Sequence, residues 1–93
     1  MKSRIAIIGI VIEEAESAGK VNTLLSGYRT TIVGRMGIHY DKRGVSVISV
    51  VVDAPTDIVN ALTGRLAAVS GVSAKAVFSK TEFSDESERS APS

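Results

Sequence analysis

The 93-residue chain has no cysteine, which excludes disulfides, thiolate metal sites and a cysteine nucleophile. It has one histidine, His39, and a metal site within one chain needs several converging ligands. Neither a metal nor a cofactor is therefore expected. Aromatic residues make up 4%, and the apolar runs hold aliphatics where an RNA-recognition sheet would place stacking rings. Charge of one sign is also lacking: 11 basic residues face 10 acidic ones, whereas a duplex-binding domain carries a basic excess. With no helix-turn-helix pattern either, direct nucleic-acid binding is not expected. No apolar run reaches the ~20 residues of a membrane span. There is no glycine-rich phosphate loop, no serine-histidine-acid arrangement and no pair of acids at the ends of facing strands, so no catalytic residue is assigned. Two basic residues precede the first apolar run, but Glu13, Glu14 and Glu16 follow it at once without a small-residue cleavage site. A cytoplasmic protein is the expectation.

What is present is apolar surface in excess of its cover. Ile5–Ile12 and Val45–Val52 are apolar on both faces when read as strands. In the first, Ala6, Ile8, Ile10 and Ile12 oppose Ile5, Ile7 and Val11. In the second, Val45, Val47 and Val51 oppose Ile48, Val50 and Val52. Each run asks for cover on both sides of its sheet, yet the chain offers two helical segments.

The first strand is predicted over Arg4–Ile12. Glu13, Glu14 and Glu16 then open a helix, where acids complement the positive end of its dipole. Its stripe is Ala18, Val21, Leu24 and Leu25, and Gly27 stops it. Thr31–Ile38 reads as a second strand, with Ile32, Met36 and Ile38 on one side and Thr31 and Arg35 on the other. Tyr40–Gly44 is a polar hairpin connection, and Val45–Asp53 a third strand. Pro55 starts a second helix that runs to Ser70, with Ile58, Ala61, Leu62, Leu66 and Val69 as its core stripe and Gly71 as its stop. Val72–Ser79 is the fourth strand. The order β-α-β-β-α-β with right-handed crossovers gives an antiparallel sheet of order 4-1-3-2 and both helices on one face. This is the α+β ferredoxin-like fold. It centres the two doubly apolar strands. Residues 1–80 form the domain, and the polar segment 81–93, with Phe83 its one large apolar residue, is expected to be a disordered tail.

The open sheet face is therefore expected to carry Ile5, Ile7, Val11, Val45, Val47 and Val51 as an oligomer interface, because monomers seldom expose such a patch. The outer side of the second helix holds Asn60, Thr63, Gly64 and Ala67, and Arg65 is the one charge from Ile58 to Ser70. Either a ligand or partner contacts Asn60, Thr63 and Gly64, or the surface is weakly polar and tolerates glycine. In Arg35-Met36-Gly37-Ile38-His39-Tyr40, Arg35 either holds an anion or carboxylate bidentately or guards a sheet edge against unwanted pairing.

Four stretches carry a family likeness: Val21-Asn22-Thr23-Leu24-Leu25, Ile32 to Ile38, Ser46 to Asp53, and Asn60 to Leu66 followed by Ser70-Gly71-Val72. In their order and spacing they resemble the small bacterial family described as iron-only hydrogenase system regulators. The likeness covers about Arg4 to Lys80. It implies an ACT-like domain, akin to the C-terminal domain of nickel-responsive repressors. It further implies a cytoplasmic homo-oligomer, dimer or tetramer, tied to the hydrogenase system, with a small-molecule effector bound by analogy with ACT domains. The metal-binding histidines and cysteine of the nickel repressors are missing, as is their DNA-binding arm. The expectation is a ligand-sensing regulator and not an enzyme. Two alternatives stand beside it: an interaction module in hydrogenase maturation without a small ligand, and an enzyme drawing on His39, Tyr40 and Glu13 at a subunit interface.

Overall fold

In the computed structural model, which describes residues 2–84, the first apolar run becomes strand β1, Lys2–Ile12. A single 3-10 turn, Ala15–Ser17, leads into helix α1, Ala18–Gly27. Strands β2, Ile32–Tyr40, and β3, Val45–Ala54, form a hairpin around a turn in which Gly44 has φ +67°. Helix α2, Thr56–Ala67, and strand β4, Val72–Phe78, follow. Every pairing is antiparallel and the sheet order is β2-β3-β1-β4. The β-α-β-β-α-β architecture is thus ferredoxin-like.

The core lies between the sheet and its helices. Ala6, Ile8, Ile10 and Ile12 of β1 and Ile48, Val50, Val52 and Ala54 of β3 pack with Val21 and Leu25 of α1 and Val59, Leu62 and Leu66 of α2. Burying each of the larger aliphatics stabilises the fold by ~1.5–3 kcal/mol. The stripe of α2 differs from expectation. Val59 is buried, while Ile58, Ala61 and Arg65 are exposed, because the helix is rotated to aim Val59, Leu62 and Leu66 at the sheet. Pro55 sits one position earlier than expected, as the N-cap, where its carbonyl accepts from the Ile58 and Val59 amides.

Strand β2 also departs from the expected alternation. Ile32 pairs with Val52 and Gly34 with Val51, so Val33 is an extra residue in a β-bulge. Ile32 therefore joins the helix-covered face through Val52, while Met36 and Ile38, opposite Ser49 and Val47, lie on the open face. Arg35 and Ile32, three residues apart, end on the same side. A regular strand would have separated them.

The chain stays ordered past Ser79. Residues Phe83–Ser84 form a short strand, β5, opposite Ser3 and Lys2 of β1. Glu82 reaches Arg4 at 3.7 Å. The rest of the expected disordered tail, from residue 85, lies outside the described residues.

One joint holds the two βα crossings together. The Glu13 amide donates to the Gly71 carbonyl at 2.7 Å, and the Ser17 hydroxyl to the Ser70 carbonyl at 2.6 Å. The Ser70 hydroxyl donates to the Glu14 carboxylate, and a Cβ on Gly71 would fall 2.5 Å from Glu14 Cγ. Gly71 has φ +73°, the left-handed region that glycine adopts without penalty. Gly71→Ala is therefore expected to cost ~1–2 kcal/mol and to lower the melting temperature by roughly 5–15 °C. Gly64→Ala, on an exposed part of α2 where, among the described residues, nothing beyond the helix's own backbone comes within 4 Å of the added Cβ, should instead stabilise by ~0.5–1 kcal/mol. Thermal melts of both variants check the contrast.

Candidate functional site

Two surfaces carry the residues singled out from the sequence. The first is the open face of the sheet. Ile7 is 46% exposed and Val47 39%, while Ile8, the next residue along β1, is 0% exposed. Strand neighbours differ in this way because α1 and α2 cover one face. Ile5, Ile7 and Val11 of β1 and Val45, Val47 and Val51 of β3 do share the open side. The register arranges them in rows. Val77, Ile7 and Val51 form one apolar row, and Val11, Val47 and Ile38 form another. Between them, Gly9 and Ser49 leave a furrow flanked by Lys75 and Met36. Met36, Ile38 and Tyr40 of β2 extend the patch, because the bulge sends them to this side.

The second surface is a notch on the helix-covered side, between α1 and the β2–β3 hairpin, with a volume of about 300 Å³. Its floor is Ile12 and Ile48. Ala18 and Asn22, one turn apart on α1, form one wall. Arg35, Gly37 and His39 of β2 form the other, with Gly37 as the gap between two longer side chains. The Arg35 guanidinium donates from Nη2 to Asn22 Oδ1 at 3.1 Å. His39 Nδ1 lies 3.0 Å from Ser46 Oγ, and Nε2 lies 3.0 Å from Asp41 Oδ1. Donation from Nε2 to Asp41 would leave Nδ1 to accept the Ser46 hydroxyl.

Of the residues assigned to ligand or partner binding, the structure brings Arg35 and Gly37 together in this notch. Asn60, Thr63 and Gly64 lie on α2 and line neither the notch nor the wider groove formed by Gly19, Thr23, Leu24 and Val69. The Thr63 hydroxyl donates to the Val59 carbonyl of its own helix at 2.8 Å. Asn22, His39 and Ser46 were absent from the assigned site. Their signal was the hairpin: counting pairs back from Tyr40 opposite Val45 sets His39 against Ser46 and Arg35 on the side of α1. Among the described residues no three His, Cys, Asp or Glu side chains converge as a metal site, and no helix is long and apolar enough to cross a membrane.

The family model described as "TM1266-like: Iron-only hydrogenase system regulator, putative" matches residues 4–76. The chain belongs to this family. The match spans most of β1, all of β2, β3 and both helices, and β4 as far as Ala76, so it takes in the notch and the open face apart from Val77. Among solved structures, the chain is similar to that of the uncharacterized protein TM1266 from Thermotoga maritima. The two are 30% identical with a TM-score of 0.80, and the likeness covers 84% of this chain and 99% of the other. No curated protein matches the chain.

Deleting Val33, which is 67% exposed, leaves Ile32 opposite Val52 and Gly34 opposite Val51 in a regular ladder. The deletion is expected to change stability by less than about 1 kcal/mol. Deleting Met36 from the regular stretch should move one side of β2 to the wrong face and destabilise far more. Chemical denaturation of the two deletion variants measures the difference.

Proposed function

We propose that this chain is an oligomeric, ligand-sensing regulatory module of an iron-only hydrogenase system. The observation that carries the reading is the uncovered apolar face of the central strands, set beside the family's description as a system regulator. Four strands about 4.8 Å apart and about eight residues long present a flat face of roughly 500 Å². Its two apolar rows, Val77-Ile7-Val51 and Val11-Val47-Ile38, make it the kind of exposed patch that is often functional. Two copies meeting there would bury at least the ~1,000 Å² that a specific interface needs. The two apolar rows and the furrow between them give each copy ridges and a groove for a two-fold partner. Helices α1 and α2 are separated in the chain by β2 and β3, so they do not make a helix-turn-helix, and regulation would run through a partner protein.

Light scattering at micromolar concentration is expected to give a dimer or tetramer mass. Val47→Lys places an unpaired charge in the interface, costs ~3–5 kcal/mol if fully buried, and should yield a folded monomer. A monomer for the unaltered chain overturns the oligomer. Sensing is checked by melting the protein against a metabolite panel, where one compound at a hundred times its Kd should raise the melting temperature by roughly 10 °C or more.

A further inference from the structure

We propose that the notch between α1 and the β2–β3 hairpin is the effector site and takes a short aliphatic carboxylate, with Arg35 as its anchor. The inference rests on the sensing function proposed above and names where and what the module senses. Four features of the notch carry it.

First, Arg35 is bound to a neutral partner. Its Nη2 donates to Asn22 Oδ1, and among the described residues no carboxylate pairs with it. The hydrogen bond turns the guanidinium toward α1 and leaves its other N–H groups to donate. Carboxylates fit that fork with two parallel bonds. Among the described residues no acidic side chain lines the cavity, and the carboxylate beside it, Asp41, lies at the His39 end, away from Arg35.

Second, Gly37 makes the space. It lies between Arg35 and His39 on the same side of β2, opposite Ile48. A Cβ built there would stand 3.8 Å from Ile48 Cγ1, an ordinary contact, and Gly37 has no positive φ. Neither backbone conformation nor crowding requires glycine here. Its effect is the opening itself.

Third, the floor is apolar. Ile12 and Ile48 belong to the core and are 3% and 7% exposed, so a short hydrocarbon body would rest on preformed surface. Fourth, the apolar floor ends at His39, whose ring nitrogens already face Ser46 Oγ and Asp41 Oδ1, so the polar end bounds the length of the hydrocarbon body. Arg35 and His39 are separated along the strand by roughly 13 Å at their Cα positions. That span, less the reach of the side chains, suits a chain of about three to five carbons, and a volume of about 300 Å³ is at the small end for ligand cavities.

Butyrate is the probe. Titration calorimetry and melting of the full chain are run with butyrate, with butyramide, which keeps the body and removes the charge, and with inorganic phosphate at matched ionic strength. Butyrate is expected to raise the melting temperature by roughly 6–11 °C once it exceeds about ten times its Kd, and butyramide and phosphate are not. Arg35→Gln should weaken butyrate binding by about tenfold to a hundredfold. Gly37→Val should abolish it while circular dichroism and melting show a folded protein. Gly37→Ala, the smaller filling, should weaken it less. No response to butyrate in the unaltered chain overturns the proposal, as does an equal response to phosphate, or binding that survives both Arg35→Gln and Gly37→Val. If a different compound shifts the melt independently of Arg35 and Gly37, the notch is wrong and sensing stands. If nothing in the panel shifts it while the oligomer persists, sensing itself fails.

Discussion

Strands β1 and β3 pair without interruption from Arg4 opposite Ala54 to Ile12 opposite Ser46, and nearly everything else in the fold answers to that ladder. Both strands are aliphatic on both sides. Two helices of modest length can satisfy one side, and they do so with few residues, Val21 and Leu25 from α1 and Val59, Leu62 and Leu66 from α2. The other side is left uncovered by the described residues. Helix propensity and capping are minor by comparison, since among the described residues the N-cap side chains of α1 and α2 make no capping hydrogen bond. Tertiary burial against the ladder fixes where the helices lie.

Strand β2 is held on one side alone, through β3, and there the chain tolerates irregularity. The bulge at Val33 absorbs a conflict between two demands. Ile32 belongs under the helices, and the hairpin turn fixes the register of Met36 through Tyr40. A single extra residue reconciles them and sets Arg35 facing α1, where Asn22 holds it. Bulges often re-aim side chains near the working parts of a protein. In this chain the bulge, the glycine gap at Gly37 and the polar pair at His39 and Ser46 all fall on one edge hairpin, while the central strands are regular.

The element order, the sheet order and the placement of Ile5, Ile7, Val11, Val45, Val47 and Val51 were legible because period-two alternation and connection handedness are strong constraints. The face of β2 was not, because a bulge leaves almost no mark in sequence beyond Gly34 beside Val33. Alternation carried forward from Thr31 gave the wrong side, and counting back from the hairpin would have given the right one. The stripe of α2 was misjudged because Ile58 and Val59 are both apolar and adjacent, so composition alone does not fix the rotation of the helix. Phe83 and Ser84 were assigned to a tail by their polar surroundings. Pairing with Lys2 and Ser3 orders them through backbone hydrogen bonding, to which composition is blind. The notch divides in the same way: Arg35 and Gly37 stand out locally, whereas Asn22 and Ser46 matter through contacts that need the fold.

That same short β5 places Ser84 directly across from Lys2. The first and last described residues are thus neighbours on one edge, and the backbone between them traces an almost closed loop. Joining Ser84 to Lys2 in place of the residues that flank them, and reopening the chain at the exposed Asp41–Gly44 turn, would keep the register of β1 with β3 and β4. The new ends would then lie at the tip of the β2–β3 hairpin, at the far end of the β1–β3 ladder from Lys2 and Ser84.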